Sequence, residues 1–181
     1  MENRQLLKAV KILKSGGVVA FPTETVYGLG ALLTNKRAIR KIYRLKHRPS
    51  HKPLQVLVAS LKQAKLLGRF DKKVEDFAKR RWPGPLTLIV RKTKLVPQLI
   101  TGGSDKVGLR IPNHRTTLNL IRKCGPIVAT SANVTGELPA LSAKEVEEKL
   151  PGLDYILPGR VKTGKASKVI DATNNYKILR T

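Results

Sequence analysis

The 181 residues predict a single α/β domain, spanning 1–181, with a mixed parallel/antiparallel sheet and flanking helices. Segments of helical and of strand periodicity alternate from one end to the other. No internal repeat and no low-complexity linker interrupts them. The length supports one sizeable core and falls short of two ordinary domains. Strands separated by helices are expected to pair in parallel, and the closely spaced tail segments to pair antiparallel.

Taken in order, Leu6, Leu7, Val10 and Leu13 recur at helical spacing, and Ser15, Gly16 and Gly17 end that helix. Val18 to Phe21 reads as a short buried strand stopped by Pro22, followed by a hydroxyl-rich stretch, T-E-T-V-Y-G-L-G, over 23–30. Asn35 caps a helix to about His47, with Ile39, Ile42 and Tyr43 inward and Arg37, Arg40, Lys41 and Arg44 outward. Leu54 to Val58 is a strand, Ser60 caps a helix through Leu67, and Asp71 to Arg81 is a further helix closed by W-P-G-P. Leu86 to Val90 and Lys106 to Ile111 are strands. Asn113 begins a helix to about Lys123. Ile127 to Thr130 is a strand leading into S-A-N-V-T-G, and Ser142 with Glu145 forms a capping box. From Leu153 the tail is strand and loop.

Aromatic residues make up only 4% of the chain, so the core is aliphatic. The 36 Lys and Arg against 12 Asp and Glu leave a formal charge of +24, which calls for an anionic partner. Eleven of those cations fall between Glu24 and Asp71, where no acid occurs. Cys124 stands alone, which excludes a disulfide framework and a thiolate zinc site. The start lacks a signal-peptide core, and no apolar run approaches the roughly 18 residues that span a bilayer. A soluble, cytoplasmic protein without membrane association is expected.

Four loops at strand ends contain groups suited to an anionic small molecule: Thr23 to Gly28, Lys46 to Arg48, Arg110 to His114, and Thr130 to Asn133. In open α/β sheets ligands sit where such loops converge. Pro49 and Pro53 stiffen the basic stretch K-H-R-P-S-H-K-P-L, which otherwise reads as a solvated turn. Arginine offers a planar fork for carboxylate or phosphate, and lysine a point charge. Ser131 and Asn133 add neutral donors and acceptors, although such residues before Gly136 also form turns.

Other patterns carry less. G-R-V-K-T-G-K-A, 159–166, falls one residue short of a phosphate loop: Ala166 lacks the hydroxyl for magnesium, and the residues beyond it read as strand. Pro49 separates His47 from His51, so they share no helix face and form no metal site. Glu24 and Asp171 are the carboxylates near the loops, and Glu24 reads equally as ion-pair partner or base. Cations and hydroxyls with little acid–base machinery suit phosphoryl or nucleotidyl transfer.

In combination, G-V-V-A-F-P-T-E-T-V-Y-G-L-G (17–30), K-H-R-P-S-H-K-P-L (46–54), W-P-G-P-L-T-L (82–88), V-G-L-R-I-P (107–112) and T-S-A-N-V-T-G (130–136) resemble the YrdC/TsaC family of L-threonylcarbamoyladenylate synthases. The chain ends where short members of that family end. The resemblance implies a twisted sheet around a concave, positively charged cavity. It also implies condensation of L-threonine, bicarbonate or carbon dioxide, and ATP into threonylcarbamoyl-AMP and pyrophosphate, with Mg2+ accompanying ATP. The product would pass to tRNA threonylcarbamoyl-transferase proteins, and tRNA itself is a candidate ligand. By the same resemblance Lys46 and Arg48 contact nucleotide phosphate as the catalytic pair. Thr23 and Tyr27 belong to the amino-acid loop, Arg110 pairs with the threonine carboxylate, and Thr130, Ser131 and Asn133 line the nucleotide site. Ser167 and Arg180 are carried over from the tail, where Lys168 and the ending at Thr181 depart from the family pattern.

Two other readings compete. A non-catalytic protein binding tRNA or other duplex RNA fits the charge, while the scarcity of aromatics disfavours stacking on single strands. A relative in the same fold could transfer a different carbamoyl group.

Overall fold

The first helix, α1 (Glu2–Lys14), opens the described part of the chain, residues 2–181 of a computed structural model. Its Leu6, Ala9, Val10 and Leu13 form one apolar stripe. That stripe packs on Leu120 and Ile121 of α5 (Arg115–Cys124) and, with them, on the sheet. The remaining helices are α2 (Lys36–Leu45), α3 (Leu61–Leu67), α4 (Lys72–Lys79) and α6 (Ala143–Lys149).

Side-chain caps define most helix starts. Asn35 Oδ1 accepts from Ala38 N at 2.9 Å, Ser60 Oγ from Gln63 N at 3.2 Å, and Asp71 Oδ1 from Val74 N at 2.8 Å. Ser142 caps α6, and Glu145 reaches back to accept from Leu141 N at 3.0 Å. At α5 the cap is His114 rather than Asn113: its Nδ1 accepts from Thr117 N. Helix α2 is followed by Lys46 as its C-cap and then by His47, whose φ of 47° turns the chain while Arg48 N bonds back to Tyr43 O. That turn sends Lys46 inward and Arg48 into the following loop.

The strands are β1 (Val19–Phe21), β2 (Gly28–Leu32), β3 (Gln55–Leu57), β4 (Leu86–Arg91), β5 (Lys106–Arg110), β6 (Ile127–Ser131), β7 (Tyr155–Ile156), β8 (Lys168–Asp171) and β9 (Lys177–Arg180). They form one sheet in the order β7-β1-β2-β6-β3-β5-β4-β8-β9. The loop expected over Thr23 to Gly28 ends in β2, a strand that the sequence reading did not assign. Its glycines disguise the strand, and they are there because β2 lies against Phe21 and the backbone of β6.

Pairing departs from the expectation in two places. The strands β2 and β3, joined across α2, do run parallel to each other, but β6 is inserted between them, antiparallel to both. The tail does not form a local antiparallel ribbon. Its β7 joins β1 in parallel at one edge and its β8 joins β4 in parallel at the other, so only β8 and β9 pair antiparallel. The sheet is mixed, as expected.

One sheet face is covered by α2, α3, α4 and α6, whose Ile39, Ile42, Ala64, Leu67, Val74, Ala78 and Val146 pack over Ala31, Val56, Val128, Leu109 and Leu88. The other face has only α1 and α5, over Val19, Phe21, Leu57 and Ile127. Because strand side chains alternate, Gln55 shares this second face with Leu57, and Gly108 shares it with Arg110. Beyond the two helices that face is open. Among the described residues no helix is long and apolar enough to cross a membrane.

Gly30 tests the β2–β6 contact. A Cβ there would come within 2.8 Å of Val128 O and 2.6 Å of Ile127 Cγ2, atoms held by the β2–β6 ladder. Gly30→Ala is expected to lower unfolding free energy by about 1–3 kcal/mol, read from urea denaturation.

Candidate active site on the open sheet face

The uncovered face forms a cavity of about 240 Å3. Its floor is a row of laterally paired residues, Ala129, Gln55, Gly108 and Ile89, from four adjacent strands. Alanine and glycine keep that floor low. A side chain at Gly108 would stand in the cavity, with its Cβ 3.1 Å from Thr87 Cγ2.

Three guanidinium groups reach the cavity from separate elements: Arg48 from the loop after α2, Arg110 from the end of β5, and Arg180 from β9. Arg48 braces its own loop, donating from Nη2 to Pro53 O at 2.8 Å and from Nε to Lys52 O at 3.3 Å. Arg180 donates to Ser167 O from Nε (2.9 Å) and Nη2 (2.7 Å), and to Ser167 Oγ at 3.1 Å. Burial, and then the neighbouring Arg110 charge, hold the Arg180 pKa below its usual value. Ser167 Oγ lies 3.1 Å from Thr87 Oγ1, which donates to Gln55 Oε1 at 2.6 Å. This chain of polar groups crosses the floor from β9 to β3.

Arg110 is 3% exposed. Its Nε donates to Gly84 O at 3.2 Å and its Nη2 to Thr25 Oγ1 at 3.0 Å. On its buried side Glu24, 5% exposed, sets Oε1 2.7 Å from Nη2. That approach is an ion pair outside hydrogen-bonding alignment, so neither Glu24 oxygen accepts a hydrogen bond.

Lys46 is 1% exposed, yet it does not line the cavity. Its Nζ donates to the carbonyls of Ser131 at 2.7 Å and Asn133 at 2.5 Å, with Asn133 Oδ1 at 3.4 Å. Its own carbonyl accepts from Thr135 N at 2.9 Å. The ammonium is therefore spent on fixing the turn after β6. Burial, then the adjacent Arg48 charge, lowers its pKa to about 8, against a smaller upward pull from Glu137.

The residues singled out by the sequence thus fall into two groups. Arg48, Arg110, Thr130, Ser131, Ser167 and Arg180 line one cavity. Lys46, Asn133, Thr23 and Tyr27 stand behind its wall. Asn133 Nδ2 donates to Val134 O and Glu137 O, shaping the turn. Thr23 Oγ1 closes its own loop, donating to Val26 O at 2.7 Å, while Thr25, two residues on, faces the cavity. Tyr27 is fully buried, and its hydroxyl donates to Gly159 O at 3.0 Å, which fastens the loop that ends in Ser167. Thr25, Gln55, Thr87 and Gly108 escaped sequence reasoning. Alternation along a strand could have flagged Gln55 and Thr87 as polar residues among apolar ones, but nothing local marks Thr25 over Thr23.

No group of three or more His, Cys, Asp and Glu able to hold a metal occurs among the described residues. The single carboxylate near Arg110 is taken up by that arginine. A divalent ion here would have to arrive on a ligand's own oxygens.

The bare face of an open, mixed α/β sheet thus gathers three arginines and a set of hydroxyls, groups of the kind that a small anionic ligand would use. The model of the Sua5/YciO/YrdC family, described as "Telomere recombination", matches residues 11–181, and the chain belongs to that family. A threonylcarbamoyl-AMP synthase of Pyrococcus abyssi is 41% identical over 177 residues, covering 96% of this chain and 52% of that protein. One of Bacillus subtilis is 39% identical over 180 residues, 97% of this chain and 52% of that protein. The crystal structure of P. abyssi Sua5 complexed with L-threonine superposes with a TM-score of 0.90 at 41% identity, over 96% of this chain and 52% of that one. The chain spans about half the length of these relatives.

Lys46→Met removes the donor from two backbone carbonyls and is expected to lower unfolding free energy by about 1–3 kcal/mol at pH 7.5. The lowered folded-state pKa means that the unfolded chain binds the extra proton between about pH 8 and the ordinary lysine value of about 10.4. This group's contribution to stability therefore rises with pH across that window and is lost as pH falls through about 8. Denaturant titrations at pH 7.5 and 9.5 should show the gap between wild type and Lys46→Met widening at the higher pH.

Proposed function

We propose that this protein is a threonylcarbamoyl-AMP synthase: it joins L-threonine, bicarbonate or carbon dioxide, and Mg2+-bound ATP, and releases pyrophosphate. The observation that carries the reading is the convergence of Arg48, Arg110, Arg180 and the Ser131 loop on one cavity. The threonine amine first adds to carbon dioxide with loss of a proton, or condenses with bicarbonate with loss of water, to give a carbamate. A carbamate oxygen then attacks the α-phosphorus of ATP, and the bond to pyrophosphate breaks.

Arg110, fixed on two sides, offers its remaining N–H groups to the threonine carboxylate. Arg48 and Arg180 neutralise the phosphates, and the hydroxyls of Thr130 and Ser131 orient the nucleotide. Lys46, Asn133, Thr23 and Tyr27 hold the walls in register. Mg2+ travels on the phosphate oxygens as part of the substrate. The cavity is smaller than the roughly 300–1,000 Å3 of pockets for drug-sized ligands, so the amino acid and α-phosphate occupy it while the rest of the nucleotide extends past Arg48. The product goes on to proteins that transfer the threonylcarbamoyl group to tRNA, and the outward basic face of α2 is suited to tRNA phosphates.

Incubation with Mg2+-ATP, bicarbonate and each amino acid in turn should release pyrophosphate with threonine alone, and release with none would overturn the reading. Arg110→Lys keeps the charge but loses the fork. It should raise the KM for threonine by about tenfold or more, with the KM for ATP little changed.

A further inference from the structure

We propose that Glu24 is a built-in counter-carboxylate that competes with the substrate's carboxylate for Arg110, and so limits how tightly the amino acid is held. This rests on reading Arg110 as the carboxylate anchor.

The geometry separates this role from a simple structural one. Arg110 does not need Glu24 for its orientation, because Gly84 O and Thr25 Oγ1 already fix Nε and Nη2. Glu24 Oε1 sits 2.7 Å from Nη2, yet makes no hydrogen bond to it, and Oε2 accepts none either. Glu24 is paired in charge with Arg110 while both its oxygens lack hydrogen-bond partners, and a buried polar group left so calls for an explanation. What Glu24 supplies is charge. Its backbone is itself pinned, since the Glu24 carbonyl accepts from Thr163 N at 3.0 Å and from Thr163 Oγ1 at 3.2 Å, so the carboxylate stays beside Arg110.

An incoming carboxylate therefore meets a guanidinium whose charge is already balanced from behind, and it feels the Glu24 charge at short range through a poorly screening wall. Of the three arginines in the cavity Arg110 is the deepest, and without such a counter-charge it would take up any small carboxylate. With it, a simple carboxylate gains little, and the zwitterion of an amino acid is penalised less than a bare anion. The same repulsion loosens the product, which retains the carboxylate, and so speeds its departure. Glu24 is thus a specificity-determining residue acting through Arg110.

The test is calorimetric binding of L-threonine, of 3-hydroxybutyrate as the same skeleton without the amine, and of ATP, to the full chain and to Glu24→Gln. The isosteric amide should tighten threonine by about tenfold or more and 3-hydroxybutyrate by a larger factor, with ATP changed far less. In turnover it should lower both KM for threonine and kcat, whereas a structural role would raise KM. Unchanged or weaker threonine binding in folded Glu24→Gln overturns the proposal. Should Glu24→Gln fail to fold, Glu24→Asp withdraws the charge by one methylene. Tightening there by a smaller factor supports the proposal, and no tightening overturns it. A wild-type chain that binds neither threonine nor ATP takes down the synthase reading instead, and this inference with it.

Discussion

The tie between Lys46 and the carbonyls of Ser131 and Asn133 is the constraint on which the site depends. It joins two elements distant in sequence, the end of α2 and the turn after β6, at the back of the cavity wall. A lysine ammonium can do this because it has several donors and enough reach to satisfy two carbonyls that no strand or helix could pair. The cost is a desolvated charge, visible in its lowered pKa. The gain is a rigid turn directly behind Thr130 and Ser131, the residues with which β6 reaches the cavity. Charge placed behind the wall still adds to the field in front of it, so the lysine contributes to the attraction for anions in the cavity.

The cavity itself follows from unequal helix coverage. Four helices close one sheet face, and two close only part of the other. The uncovered strip would expose apolar strand residues if it followed the pattern of the rest of the sheet. Apart from Ile89 and Val169, it carries Gln55, Thr87, Arg110 and Arg180 instead, and Gly108 and Ala129 where depth is needed. The tail matters for this reason: β8 and β9 extend the sheet beyond β4 and bring Ser167 and Arg180 to the far rim.

Much of the fold was legible because its signals are local. Asn35, Ser60, Asp71 and Ser142 cap helices through bonds spanning three residues, and these leave a mark in sequence. Strand β2 did not, because Gly-Leu-Gly-Ala-Leu has the composition of a loop, and only its close approach to β6 explains the glycines. Strand order was equally hidden, since the insertion of β6 between β2 and β3 is a long-range event. At the site, the cationic loops were readable as a set, but the division of labour within them was not. Lys46 and Arg48 are two residues apart, and which of them lines the cavity is decided by the turn at His47. Thr23 and Thr25 are likewise equivalent in sequence, and the fold alone sends one into its own loop and the other to Arg110.

Three arginines in one small cavity raise an electrostatic problem that the chain solves differently for each. Arg48 is half-buried at the rim, where solvent screens it and two carbonyls brace it. Arg180 leans on Ser167 and feels Arg110 across the cavity. Arg110 is the deepest and has no solvent to screen it, and it is the one given a carboxylate. A neutral carbonyl accepts a hydrogen bond from a guanidinium without cancelling its charge, whereas a carboxylate beside it does cancel it. The rim arginines therefore keep their full charge while the deep one is moderated; on the proposed synthase reading, affinity for a multiply charged nucleotide and selectivity for a small amino acid are then set by different residues of one cavity.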